Sequence, residues 1–388
     1  MVLAHTLQPR DFTLDQENVF MFFIAQLFQQ FLHQLMVDLN QHGVFGGAGS
    51  RGARGDPYPT SALGNGKDLS QCGRLRSPRV IGLKRDIISV LDMKDDFEQI
   101  LNEALKMKSG PKKGQRKDPL KGKVLGMVFE KPSLRTRVSF EVGMTQLGGS
   151  SLYISPNEVQ IGKRESAYDV ANVLSRYVDG IMYRAFSNQV MKELAQHASV
   201  PVVNGLDDME HPCQCAADLL TVLEKKKKLK GLQMVYVGDG NNVCNSLLLG
   251  CALVGMNMRA ATPKDHRPNA DMVAKAEEVA KATGAKIEVM SNPFHACDGA
   301  DVIYTDTWVS MGQEAEKADR ERMFLPYQVN DKLAEKANKD WIFLHCLPAH
   351  RGVEVSAGVM DGPHSVVFDQ AENRMHAQKA ILVAVLGK

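Results

Sequence analysis

From Ile87 onward, short apolar runs alternate with longer stretches in which apolar residues return at helical spacing. The runs that read as strands are Val124 to Phe129, Ser151 to Ile154, Gly180 to Tyr183, Val200 to Val203, Gln233 to Val237, Arg259 to Ala261, Lys286 to Met290, Val302 to Thr305, Trp341 to His345 and Ser365 to Phe368. Helical segments between short strands predict a doubly wound α/β fold, here with two parallel-sheet domains joined by helices. Leu219 to Lys230 reads as the joining helix, with a lysine run at its end and Gly231 at the C-terminal cap. The expected divisions are an extension over residues 1–80, one domain over 81–220, a second over 221–372, and a C-terminal helix over 373–388 that packs back on the first. At 388 residues the chain exceeds the size at which one core stops growing, in keeping with two domains.

The first 80 residues follow a different pattern. Val19 to Leu39 is an apolar, Gln-rich helix candidate, whereas Gly43 to Pro78 is rich in Gly, Arg, Ser and Pro and has little to bury. This part reads as poorly ordered. Its Arg and Ser content suits an organelle transit peptide, for a chloroplast or mitochondrion, but Asp11, Asp15, Glu17 and Asp38 are unusual in one. Without such a peptide the chain would be cytoplasmic. The apolar run from Val19 breaks at Gln26, well short of the roughly 20 residues that span a bilayer, so no membrane segment is expected.

Charge and cysteine usage narrow the classes of function. The 47 basic and 45 acidic residues leave a formal charge of +2, which gives no global field for nucleic acid or an anionic membrane. Any phosphate must be gripped locally. The 7 cysteines lack the spacing of a disulfide framework, and a reducing compartment follows. Cys213-x-Cys215 with His211 lacks zinc-finger spacing, so no metal is expected.

Five passages carry chemistry. The strand Val124 to Phe129 runs into Glu130-Lys-Pro-Ser-Leu-Arg-Thr-Arg137 and then a helical pattern. Free N–H groups at a helix start, beside hydroxyls and guanidinium forks, make a phosphate site, although an N-capping Ser133 with solvated arginines explains the same residues. His211 and Gln214 open another helix and can both face a cleft, while Arg184 ends a strand on the sheet edge where α/β proteins bind ligands. Gly238-Asp-Gly-Asn-Asn242 begins like a dinucleotide fingerprint, but Val243 stands where the third glycine belongs, which argues against a nicotinamide oxidoreductase. Asp306 and Cys346 each follow a strand, within Asp306-Thr-Trp-Val-Ser-Met-Gly312 and His345-Cys-Leu-Pro348. They are candidates for gripping an amine and organising a reacting centre.

Together these passages resemble the ornithine carbamoyltransferase family, in order and with similar gaps, over roughly residues 83–387. The resemblance implies a carbamoyl-phosphate domain followed by an ornithine domain, and transfer of a carbamoyl group to L-ornithine to give L-citrulline and phosphate, in arginine biosynthesis or the urea cycle. It implies carbamoyl-phosphate contacts from Ser133, Leu134, Arg135, Thr136, Gln160, Arg184, His211, Gln214, Cys346, Leu347 and Arg374. Ornithine contacts would come from Asn242, Asp306, Ser310 and Met311. The catalytic set would be Arg135, Arg184, His211, Asp306 and Cys346, with no cofactor, and Cys346 would act as a positioning group paired with Asp306 rather than as a nucleophile. A homotrimer with shared sites is also implied, Gln160 reaching the neighbouring subunit's pocket. Leu134 departs from the family, which has Thr there in most members; a catalytically weak or inactive binding paralogue is the alternative.

Overall fold

The computed structural model describes residues 84–110, 118–309 and 314–387. The N-terminal extension with its helix candidate, most of the basic loop after Ser109, and Ser310 and Met311 lie outside the described residues. Two parallel sheets form the frame. The first has strand order β2-β1-β3-β4, with β1 Val124–Phe129, β2 Ser150–Ile154, β3 Gly180–Arg184 and β4 Val202–Leu206. The second has order β7-β6-β5-β8-β9, with β5 Gln233–Val237, β6 Asn257–Ala261, β7 Ile287–Met290, β8 Val302–Thr305 and β9 Ile342–His345. Strand order reverses between β1 and β3 in one sheet and between β5 and β8 in the other, which opens a crevice at the carboxyl ends of those strands. No described helix is long and apolar enough to cross a membrane.

Local sequence sets the helix starts that matter. Ser133 caps the Leu134–Gln146 helix, its Oγ accepting from the Thr136 N–H at 3.3 Å. Asn241 caps the Asn242–Val254 helix by accepting from the N–H groups of Val243 and Cys244. The 20-residue Val367–Leu386 helix buries positions 367, 370, 374, 377 and 381, a helical stripe, against the Phe97–Lys108, Leu134–Gln146 and Pro212–Lys226 helices.

Three expectations need correction. Ser365 makes only an isolated bridge with Phe343, and the expected strand Ser365 to Phe368 is instead the entry to this last helix. The apolar run Val366, Val367 and Phe368 was ambiguous by itself, and burial at three- and four-residue spacing resolves it as helix. The joining helix runs Pro212–Lys226, because Pro212 fits its first turn, and Lys227 rather than Gly231 takes the left-handed cap, with φ 62°. The strand expected from Val200 begins at Val202, since Pro201 has no N–H to donate and instead accepts from Ile181 at 2.9 Å.

Candidate active site

The crevice between the two switch points holds a cavity of about 350 Å³. Its walls come from the loop after β1, the ends of β3 and β4, and the loops after β5, β8 and β9. The Val367–Leu386 helix adds Arg374 from behind.

One side is strongly cationic. Arg135, Arg184 and Arg374 converge on the start of the Leu134–Gln146 helix, whose N-terminal dipole adds to the positive potential. Arg184 and Arg374 are buried, and both reach the hydroxyl of Thr136, at 3.4 and 3.3 Å. Thr136 in turn accepts from Ser133 Oγ at 3.0 Å. Burial, together with the neighbouring Arg374 and Arg135, lowers Arg184 to about 10. The Nε atoms of Arg184 and Arg374 have no hydrogen-bond partner. Buried charge of one sign without a partner costs several kcal/mol. A bound dianion removes that cost, and free backbone N–H groups of the helix start complete its cradle.

His211 sits beside this cluster, held by its own backbone N–H donating to Ser246 Oγ at 2.7 Å. Burial first, then Arg374, Arg184, Lys131 and Arg135, lower its imidazole well below the ordinary range, so the ring is neutral at pH 7. Its Nδ1 is buried with no partner. A neutral ring in that position offers one nitrogen as donor to a developing oxyanion. Gln214 lines the same wall, one turn into its helix. Its Oε1 accepts from Arg374 Nη1, and its Nε2 donates to Asp218 at 2.7 Å. One amide hydrogen of Gln214 remains for a ligand.

The opposite side is acidic and amide-rich. Asp306, at the end of β8, accepts from Cys346 Sγ–H at 2.9 Å, from Asn241 Nδ2 at 2.8 Å and from the Thr307 N–H at 2.8 Å. Burial and the adjacent Asp306 carboxylate push the Cys346 thiol well above its usual range, so it is protonated at neutral pH. A protonated thiol donating to a carboxylate is a poor nucleophile. Asn242 opens the next helix and donates from Nδ2 to the Asp207 carbonyl across the crevice. Leu347 turns the chain after β9 in the left-handed conformation, φ 61°, with its N–H on His345 Nδ1 at 2.9 Å. Asp306, His345 and Cys346 bring one carboxylate oxygen, one ring nitrogen and the sulfur within 4.8 Å of one another, a set that a thiophilic cation could use. His345 fits it poorly, because Nδ1 already accepts from Leu347 and Nε2 lies 3.3 Å from Glu354.

Ser133, Leu134, Arg135, Thr136, Arg184, His211, Gln214, Asn242, Asp306, Cys346, Leu347 and Arg374 thus share one cavity. Gln160 does not join them: it is exposed in the left-handed cap after the Pro156–Val159 helix, with φ 49°. Other participants escaped sequence reasoning. Lys131 lines the cavity with its ammonium 4.9 Å from the Phe186 ring centre, and its place beside Ser133 was the available signal. Asn241, expected with Asn242 to offer an amide at the cleft, does so by orienting Asp306. Asp218 and Gln370 lie behind Gln214, where Gln370 Nε2 donates to Asp218 at 2.6 Å while its Oε1 accepts from the His345 N–H. No local pattern marks those two.

Two doubly wound domains over an anion cradle, faced by a carboxylate and amides, define a two-domain α/β transferase that holds a phosphorylated donor against a second substrate. The carbamoyl-phosphate-binding domain of aspartate/ornithine carbamoyltransferases matches residues 85–224, and the aspartate/ornithine-binding domain matches residues 230–385. The chain belongs to the aspartate/ornithine carbamoyltransferase family. An ornithine carbamoyltransferase of Picrophilus torridus is 54% identical over 304 residues, 78% of this chain and 100% of that protein. A catabolic ornithine carbamoyltransferase of Thermoplasma volcanium is 48% identical over 303 residues, 78% of this chain and 99% of its own. The structure of the Pyrococcus furiosus ornithine carbamoyltransferase superposes with a TM-score of 0.76 at 48% identity, covering 78% of this chain and 97% of that one.

Proposed function

We propose that this enzyme carries the carbamoyl group of carbamoyl phosphate to the δ-amine of L-ornithine, releasing L-citrulline and phosphate. The observation that carries the reading is the buried arginine pair, Arg184 and Arg374, with unpartnered Nε atoms beside a helix start, facing Asp306 across one cavity. Phosphate sits on Ser133, Arg135, Thr136 and the backbone N–H of Leu134, a contact indifferent to the side chain there. Arg184, His211 and the free amide hydrogen of Gln214 receive the carbonyl oxygen, beside Leu347 and Arg374.

Ornithine must attack as a neutral amine, although a free alkylamine ionises near pH 10. A closed cleft with several cations disfavours the ammonium form. Its lone pair adds to the carbamoyl carbon, negative charge grows on the oxygen, and the preorganised donors stabilise it. The attacking nitrogen gives its extra proton to the leaving phosphate as the bond from the carbamoyl carbon to the phosphate oxygen breaks, and hydrogen phosphate departs, held by Arg135 and the helix N-terminus. Asp306 and Cys346 orient the α-amino end of ornithine, and Asn242 orients its carboxylate. Ser310 and Met311 complete the ornithine contacts in this reading.

The working unit we infer is a homotrimer in which Gln160 of one chain contacts the carbamoyl phosphate of the next; its exposure away from its own cavity supports this. The reaction serves arginine biosynthesis or the urea cycle, although a Thermoplasma volcanium relative is named a catabolic enzyme. If residues 1–80 are a transit peptide, the enzyme works in a chloroplast or mitochondrion; otherwise it is cytoplasmic. Citrulline formation measured with carbamoyl phosphate and, in turn, ornithine, putrescine or aspartate tests the proposal. Ornithine alone should give rapid product, and equal turnover of putrescine would overturn the role given to Asp306 and Asn242.

A further inference from the structure

The Gly238-Asp239-Gly240 turn binds no dinucleotide in the reading above, yet its construction is specific. A Cβ on Gly240 would lie 2.1 Å from the Pro268 backbone nitrogen, so only glycine allows the turn to pack against Arg267 and Pro268. The Gly240 N–H donates to the His266 carbonyl at 2.9 Å. Asp239, between the two glycines, is ion-paired with Arg320, which is 5% exposed. Arg320 also donates from Nε to the Trp308 carbonyl at 2.6 Å, approaches His266 Nδ1 with Nη1 at 3.5 Å, and lies 5.2 Å from the Phe324 ring centre. Phe324 stacks on Trp308 with 5.9 Å between ring centres. One guanidinium therefore ties three separate loops, those after β5, β6 and β8.

Two of those loops supply the acceptor side of the cavity. Thr307 and Val309, which flank Trp308, line it, as does Asn242 just after the Asp239 turn, while Asn241 between them holds Asp306. None of the contacts of Arg320 reaches the phosphate cradle. We propose that Arg320 is a positioning residue for the second substrate: through the Trp308 carbonyl and Asp239 it fixes the spacing between the Asp306 and Asn242 walls, and so determines acceptor affinity without touching the acceptor. This inference rests on ornithine being that acceptor.

Lysine in this place keeps a charge for Asp239 but has no second, forked donor for the Trp308 carbonyl. Steady-state kinetics of Arg320→Lys and Asp239→Asn, with each substrate varied, together with calorimetric binding of carbamoyl phosphate, test the proposal. In Arg320→Lys the KM for ornithine should rise about tenfold or more, as expected for loss of one charge-assisted hydrogen bond. Asp239→Asn should move it in the same direction by less, and carbamoyl-phosphate affinity should stay within about twofold in both. An unchanged ornithine KM, equal rises for both substrates, or a fall in kcat alone that parallels loss of folded protein would overturn it. Should Arg320→Lys not fold, the same split in Asp239→Asn decides. A wild-type enzyme that makes no citrulline would instead refute the proposed function.

Discussion

Replacing Cys346 with alanine separates positioning from covalent catalysis. The substitution removes the Sγ–H donor that lies 2.9 Å from Asp306 Oδ1. Loss of a hydrogen bond to a carboxylate costs about 1.5–3 kcal/mol. Asp306 keeps its bonds from Asn241 Nδ2 and the Thr307 N–H, both 2.8 Å, so the lower end of that range applies. About 1.5 kcal/mol corresponds to roughly a tenfold loss of ornithine affinity. The KM for ornithine should therefore rise about tenfold while kcat falls by less, and Cys346→Ser, which retains an O–H donor, should recover part of the loss. A nucleophile would behave otherwise, since its removal costs on the order of 10⁴-fold or more in kcat. Initial rates of citrulline formation and mass spectrometry of an acid-quenched wild-type reaction supply both readouts. A trapped carbamoyl-Cys346 adduct, or a loss of kcat of the larger size in Cys346→Ala, would refute the reasoning.

Arg135→Leu should weaken carbamoyl-phosphate binding and slow turnover together, because the same charge holds the phosphate before and during its departure; calorimetry with unchanged affinity would contradict this. Burial lifts Asp218 to about 7 from an ordinary 3.8, so the folded protein binds the extra proton and loses stability as pH climbs between those values, by up to about 1.4 kcal/mol per pH unit. Asp218→Asn keeps an oxygen acceptor for Gln214 and Gln370 but cannot ionise, so its melting temperature relative to wild type should increase from about pH 5 to about pH 8, and a flat difference would remove the ionisation argument. For the shared site, mixing inactive Gln160→Ala with inactive Arg135→Leu under subunit exchange should restore activity in pockets that regain both wild-type residues; no recovery after verified exchange would reject it.

Local sequence determined much of this protein. The strands Val124–Phe129, Gln233–Val237 and Val302–Thr305 coincide with the runs read from the sequence, because strands covered on both faces are near-continuously apolar and the run itself indicates the bounds. Ser133 is legible as a cap because a cap acts within three residues. Residues that follow strands, such as Asp306 and Cys346, could be assigned to the crevice because the α/β topology sends all strand ends to one side. Where signals competed, sequence misplaced the structure, as at Val366–Phe368, whose strand-like run is overruled by the helical burial of Gln370, Arg374 and Ala377. Only the tertiary structure decided which buried polar groups face one another. Gln214, Asp218 and Gln370 join across 152 residues of sequence between the latter two, and Arg320 meets Asp239 across 81. Such pairs leave no periodic trace, because a buried charge or amide selects its partner by distance in space and by the low polarity around it, neither of which exists until the sheets have come together.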